Sequence, residues 1–471
     1  MPLIPFATGT HKGESLAIDT EFLVNLYPHI SESGKSLISL ISRPGLARLY
    51  DFGAEAVRGM LVVSDRVKGF RVFVVHQGNL LEQTEGGAPI YRGSLTTVVG
   101  RCYLAWNGTQ LLITDGANGY LYDDPGGSFV QLDSPTHGWT LTQPTYCTWL
   151  RQYFVVLEET DSSYHISAPA NGLAWNAADK AGAEADPDGI ARVIANNGEL
   201  WVLGPKSAEI HYTTGDTTPG AFPFQPKLSA TLDIGCASAE SVATYNGSIA
   251  FLGQARGGLR VYWMAGYTPE RISDDALEHA IRDYGTVTDA IGIGVDWEAS
   301  AYYILTFPTE GVSWLYDARG AQWSQIQTGT GRFAGELGIG IENRNFISDY
   351  RDGRVHELQH RQDDDGEPLR VRAVGRTISE DEQWISHRNL EVVVERGTAG
   401  QTVDPEMRLR WSNDNGNTWS ASYPRTMGKV GEYNARARWN RLGRARNRTY
   451  ELIMTDSPPK VIVGMVVNGR A

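Results

Sequence analysis

The chain has 471 residues, of which 41% are hydrophobic and 21% charged, so it holds enough apolar material for sizeable cores and gives no basis for global disorder. Its 52 glycines, 13 tryptophans and 21 tyrosines, with few long Ala/Leu/Glu/Lys runs, argue for many turns and short strands and exclude a helical bundle or coiled coil. A net charge of −13 excludes a general binder of nucleic acid or anionic membrane, since both demand a positive footprint, but leaves room for a local basic patch.

The start, Met1-Pro2-Leu3-Ile4-Pro5, lacks the basic residues and long apolar run of a secretory leader. No apolar stretch approaches the ~18 residues of a membrane span. Synthesis and folding in a cytoplasm are expected, with no membrane partner. Residues 1–56 read as an N-terminal arm joining a repeat domain over 57–362. Within that domain a polar turn recurs between two strand-like runs. Asn107-Gly108 leads into Leu111-Leu112-Ile113, Asn197-Gly198 into Leu200-Trp201-Val202-Leu203, and Asn246-Gly247 into Ile249-Ala250-Phe251-Leu252. Asn-Gly is a strong hairpin signal because a two-residue turn needs positive φ at both positions. Looser versions, starting with Lys68-Gly69, Arg151-Gln152, Glu298-Ala299 and Asn343-Arg344, bring the unit starts to 68, 107, 151, 197, 246, 298 and 343. Intervals of 39 to 52 residues suit four-stranded blades. The expected fold is all-β, a β-propeller of six or seven blades, with seven slightly favoured. Residues 176–187 read as a loop between blades. One helix is expected over 273–284, with Ser273 as N-cap and Leu277, Ala280, Ile281 and Tyr284 on one face.

The acidic run Asp363-Asp364-Asp365 reads as a solvated linker; it lacks the spacing and terminal Glu of a calcium loop. Beyond it, residues 363–471 show period-2 strands such as Leu369-Arg370-Val371-Arg372-Ala373-Val374, pointing to a C-terminal β-sandwich-like domain. Ser412-Asn413-Asp414-Asn415-Gly416-Asn417-Thr418-Trp419 fits an Asp box, a turn in which Ser412, Asp414, Gly416, Thr418 and Trp419 have structural parts. From Arg425 to Arg448 eight basic residues (Arg425, Lys429, Arg436, Arg438, Arg441, Arg444, Arg446 and Arg448) face a single acid, Glu432. The segment carries +7 and the rest of the chain −20. It is readable as a solvated face, as a salt-bridged subunit interface centred on Arg436, Arg438, Arg441, Arg444, Arg446 and Arg448, or as a nucleic-acid contact.

No catalytic motif is present, and no catalytic, cofactor-binding or metal-binding residue is expected. Gly292-Ile293-Gly294 and Gly338-Ile339-Gly340 are strand pieces and not phosphate loops. Cys102, Cys147 and Cys236 are too few and too scattered for a disulfide framework or a zinc site and read as buried small hydrophobes. His356 and His360 form the one i, i+4 pair, straddling a strand end. A glycan-active or glycan-binding propeller, sialidase-like or lectin-like, is the alternative to a structural role; it requires arginines and carboxylates converging at the propeller mouth.

Six short strings sharpen the choice. They are Leu23-Val24-Asn25-Leu26-Tyr27-Pro28, Ser42-Arg43-Pro44-Gly45-Leu46, Pro187-Asp188-Gly189-Ile190, Gly204-Pro205-Lys206-Ser207, Pro269-Glu270-Arg271-Ile272-Ser273 and Arg438-Trp439-Asn440-Arg441-Leu442-Gly443-Arg444. In this order, over nearly the whole length, they resemble the packaged-DNA stabilisation proteins of short-tailed bacteriophages, also called tail hub or nozzle proteins. The middle blades depart most from that pattern, so contacts of blade loops are not carried over. The resemblance implies a non-enzymatic structural protein of the virion tail, made in the host bacterial cytoplasm and needing no cofactor. It further implies a homohexameric ring below the head-to-tail adaptor and portal. That ring would extend the channel for packaged DNA, retain the DNA until ejection, and anchor tail fibres or spikes and the distal tip or needle.

Overall fold

Each turn expected between 68 and 343 joins the first two strands of a four-stranded antiparallel unit. The chain is described by a computed structural model over all residues except 1–2, 12–14, 16–18, 31–36, 67–68, 184–187, 217–220, 396–404, 429–430, 433–435, 457–459 and 469–471. Met1, Pro2, Lys68, Pro187 and Lys429, named above, lie outside the described residues. The first strands of the seven units are Val57–Asp65, Tyr103–Trp106, Pro144–Leu150, Arg192–Asn196, Ala243–Tyr245, Ile291–Trp297 and Gly335–Ile341. They stand around a common cavity, so the repeat domain is a seven-bladed propeller.

The turns show why those sequences recur. Asn197 and Gly198 take φ of 50° and 79°, and Asn246 and Gly247 take 47° and 73°, the mirror-image turn that matches strand twist. Asn107 works differently: its Oδ1 accepts from the backbone N–H groups of Thr109 at 2.9 Å and Gln110 at 2.6 Å, and only Gly108 is left-handed. The strands that follow are almost wholly buried, as in Gln110–Thr114, Tyr153–Glu158 and Ser300–Phe307. Residues 176–181, expected in a loop, belong instead to the strand Asn171–Ala181 at the edge of blade three. Two register shifts in its pairing and an Asn176 side chain bonded to Ala178 N accommodate the polar run there.

Blade seven is completed by the arm. Gly45–Asp51 pairs antiparallel with Arg354–Gln359, so one sheet joins residues from both ends of the propeller sequence. Closing the ring brings inner strands into backbone contact. A Cβ on Gly292 would stand 2.0 Å from Ser241 O, and one on Gly294 would stand 1.8 Å from Thr244 O. The glycines of Gly292-Ile293-Gly294 are therefore required by the approach of blade five. The helix runs Asp275–Arg282 and is capped by Asp274, not Ser273: Asp274 Oδ1 accepts from Leu277 N at 2.8 Å. Ser273 is drawn off by Val261 N and Glu278 Oε1. Leu277 and Ile281 are buried between blades five and six, with Ala280 and Tyr284 packed beside them.

The C-terminal unit is a sandwich of two five-stranded sheets. One sheet orders Leu26–Ile30, Ile38–Ser42, Val461–Val467, Asn389–Val394 and Ala437–Asn440; the other orders Phe22–Val24, Val371–Val374, Asn447–Met454, Glu406–Ser412 and Tyr423–Thr426. Alternation puts Val371, Ala373, Leu390, Val392, Met407, Leu409 and Leu452 inside, around Trp439 and Tyr450. The arm thus serves both units, because three of its strands lie in the sandwich and the fourth closes the propeller. Phe22–Val24 also carries the second sheet across to blade six, where Val24 pairs parallel with Gln325.

Arg43 and Asp364 lock this junction. Both side chains are buried, and the guanidinium meets the carboxylate through two bonds of 3.0 and 2.5 Å. Its other donors reach Asn25 Oδ1, Pro44 O and Gln327 O, so all five N–H groups are used. Asp364 also accepts from Leu46 N and Thr328 Oγ1. The acidic run is therefore not simply a solvated linker: Asp364 is the buried counter-charge of the arm.

Candidate functional site

The Asp box closes on itself. Ser412 Oγ donates to Asp414 Oδ1 at 2.6 Å and accepts from Gly416 N at 2.8 Å, while Asp414 accepts from both Thr418 N and Thr418 Oγ1. Gly416 sits at φ 92°, and the Arg410 guanidinium lies 5.0 Å from the centre of the Trp419 ring. The Ser412 and Thr418 hydroxyls and the Thr418 amide hold the Asp414 carboxyl down at about 2. Every group of the motif is occupied within the turn or beside it.

The basic segment divides by exposure. Arg425, Arg436, Arg441, Arg444 and Arg446 are exposed, Arg438 is half-buried, and Arg448 is buried. Arg448 donates to Asn413 Oδ1, Leu442 O and Arg444 O and lies over Trp411, so it fastens the sandwich internally and offers nothing to a partner. Arg444 and Arg446 instead flank Trp384, with guanidinium carbons 5.6 and 5.4 Å from its ring centre. Trp384 is 58% exposed. Pairing of Ile385–Ser386 with Arg444–Ala445 sets the three side chains together. Trp384 was not anticipated as a site residue; an isolated tryptophan after Glu380-Asp381-Glu382 gave the only signal.

Beneath this face His387 is buried and shares a 2.9 Å bond with the Tyr450 hydroxyl. Burial, then the neighbouring Arg448 charge, pulls it down to about 4 from an ordinary 6.5. A lowered histidine binds its proton more weakly when folded, so its contribution is complete above pH 6.5 and is lost as pH falls toward 4. Denaturant titrations at several pH values should show a loss of about 3 kcal/mol over that window. His387→Gln should flatten this step, and an equal slope in the variant would rule out His387 as its source.

A second constellation lies at the propeller axis, where a cavity of about 280 Å³ opens among the first strands. Arg101, Arg192, Glu240 and Glu336 line it. Glu240 Oε1 accepts from the hydroxyls of Tyr103 and Tyr146, and Glu240 Oε2 lies 3.1 Å from Arg101 Nε. Glu336 pairs with Arg332 at 3.0 Å and lies 3.9 Å from Arg101. Burial would raise Glu240, but Arg101, Arg192 and the two tyrosines outweigh it and hold the carboxyl below its ordinary range. Arg192 stacks 4.0 Å over Tyr146. No motif pointed to this group, because its members are scattered from 101 to 336 and meet only when the ring closes.

The remaining candidates stay apart. Burial pushes the Cys102, Cys147 and Cys236 thiols up to about 12, which keeps them protonated. His356 is buried against Asp349, whereas His360 is exposed against Trp297 and Glu298. Among the described residues no three His, Cys, Asp or Glu side chains gather as a metal site, and no helix is long and apolar enough to cross a membrane.

Residues 2–362 match the family described as bacteriophage P22 Gp10, beta-propeller, and residues 371–469 match bacteriophage P22 Gp10, beta-sandwich. No curated protein matches the chain significantly. Among solved structures, virginiamycin B lyase from Staphylococcus aureus is similar with a TM-score of 0.42 and 8% identity, over 65% of this chain and 96% of that one. YCF48 from Cyanidioschyzon merolae gives a TM-score of 0.43 and 12% identity, over 67% and 99%. With both of its units matched in order, the chain belongs to the bacteriophage P22 Gp10 family and is a structural phage tail protein of the tail hub, packaged-DNA stabilisation type.

Proposed function

We propose that the protein forms a ring, expected to have six copies, below the head-to-tail adaptor and portal. The ring continues the DNA channel, retains packaged DNA, and gives tail fibres or spikes and the distal tip a place to attach. Family membership supports the location. The observation that carries the geometry is the closed propeller axis. A cavity of about 280 Å³, crossed by the Glu240 pairs, is at or below the small end of ordinary small-molecule pockets and admits no duplex. A DNA lumen must therefore lie between copies. An acidic body facing such a lumen leaves phosphates mobile, because like charges do not grip.

The exposed arginine face is the proposed contact with a neighbouring copy or the adaptor. Tryptophan and arginine are the residues that dominate interface energies when water is excluded around them, and Trp384 with Arg444 and Arg446 offers both. Changing Arg444 and Arg446 to Glu should abolish ring or adaptor binding in electron micrographs, with the melting temperature within about 2 °C of wild type for two exposed sites. Assembly that survives the double change would reduce the segment to a solvated face. Intact, DNA-retaining virions made without the protein would sink the hub reading itself.

A further inference from the structure

Charge is divided unevenly along the chain. Residues 57–362 hold 21 Lys and Arg against 34 Asp and Glu, a net −13, whereas residues 371–471 hold 16 against 11, a net +5. Some of the basic residues of the sandwich lie away from the segment 425–448, on the outer face of the sheet that contains Val371–Val374, Asn447–Met454 and Glu406–Ser412. Val371, Ala373, Met407, Leu409, Leu452 and Met454 point into the core, so strand alternation turns Arg372, Arg408, Arg410, Glu451 and Ile453 outward. The register sets Arg372 and Arg408 on either side of Ile453, and Arg410 beside Glu451. The Glu451 side chain is fully buried and takes bonds from both Arg372 and Arg410. Arg408 lies 3.3 Å from Glu406, and Asp456 accepts from Glu406 N. Arg370, one residue before Val371–Val374, is exposed. Four arginines thus meet three carboxylates, and the face keeps a positive charge. Burial, then Arg372 and Arg370, lowers the Arg410 guanidinium below its ordinary range, so the local field stays positive with Glu451 in place. The arginines reach solvent: the Arg372, Arg408 and Arg410 side chains are 32%, 55% and 31% exposed.

A face of one sign cannot pair with the same face of a second copy, because like charges would oppose across the contact. Its complement on a second copy is a different surface, and the acidic one is the propeller. Contacts between unlike surfaces run head to tail and close into rings where the rotation permits. We propose that the outer face of this sheet docks on the propeller of a neighbouring copy. Arginine forks suit the carboxylates that the propeller exposes, such as Glu159 and Asp283. Within the ring proposed above, on which this contact depends, each sandwich would face the propeller of the next subunit.

Arg408→p-benzoylphenylalanine is introduced into the full chain, and purified virions are irradiated. A cross-linked dimer of the chain is expected, with the adduct on a peptide from residues 57–362. With the chain present in the tail, an adduct within 371–471 of a second copy, on another tail protein or on DNA, or no adduct, would overturn the proposal alone. Virions that lack the chain would overturn the hub reading together with it. A second variant, Arg370→Glu with Arg408→Glu, leaves both partners of Glu451 intact. Its incorporation into tails should fall at least about tenfold, as like charges are set across the interface. Its melting temperature should stay within about 2 °C of wild type, as for other exposed sites. Incorporation at the wild-type level would overturn the contact.

Discussion

Asp364→Ala is expected to destabilise the protein by about 3–5 kcal/mol, because it leaves Arg43 charged and buried with no counter-ion. Asn25, Pro44 and Gln327 would still accept three of its hydrogen bonds, but none of them carries charge. Asp364→Asn keeps the volume and should cost less, and removing both charges together, as Arg43→Met with Asp364→Leu, should recover much of the loss. Denaturant unfolding of wild type, Arg43→Met, Asp364→Leu and the double variant forms a cycle that isolates the pair. A cost below about 1 kcal/mol for Asp364→Ala, the level of a surface ion pair, would mean that water reaches the junction.

Gly294→Ala should be the most damaging methyl group that can be added to the propeller. Its Cβ would stand 1.8 Å from Thr244 O, and a backbone carbonyl in a paired strand cannot rotate away as a side chain can. Blade five or blade six must shift, so a cost of at least about 3 kcal/mol, the upper end of ordinary overpacking, is expected. Gly331→Ala is the matched control: nothing lies within 4 Å of its Cβ position, and the change should be neutral or stabilising by up to about 1 kcal/mol. Thermal melts of the two variants test the contrast, and equal melting temperatures would show that the inner strands are not in hard contact.

The repeat was legible because hairpin turns are local. Asn197-Gly198 and Asn246-Gly247 declare their conformation within two residues, and the loose turns at 151 and 298 still fall between first and second strands. Arrangements that depend on distant residues were not legible. Asp364 looks like one of three solvated aspartates until Arg43 is brought to it, and Arg448 looks like its exposed neighbours until the strand Asn447–Met454 turns it inward. The axial cluster draws on five blades and has no sequence pattern at all. Five of the strings that carried the family resemblance prove to be joints. Asn25 and Arg43 meet at the junction, and Asp188 accepts from the amides of Lys206 and Ser207. In the last string Arg441 and Gly443 take positive φ around the buried Leu442. Short strings of this kind sit where backbone geometry is demanding, so they report on the joints of the fold and not on its surface.

The strand that closes the last blade has a consequence for biosynthesis. Gly45–Asp51 leaves the ribosome early, and its partner Arg354–Gln359 follows about 300 residues later. At about 5–20 residues per second this is an interval of about 15–60 s during which the nascent arm has neither its propeller neighbour nor its sandwich neighbours. Blades one to six can form in order behind it as hairpin sheets, but the propeller cannot close until Gln359 has been made. The sandwich waits about 100 residues longer, since Val461–Val467 must reach the arm strand Ile38–Ser42. A chain truncated before Arg354–Gln359 would therefore keep unsatisfied strand edges in both domains, whereas one truncated between Gln359 and Val461 would keep them in the sandwich.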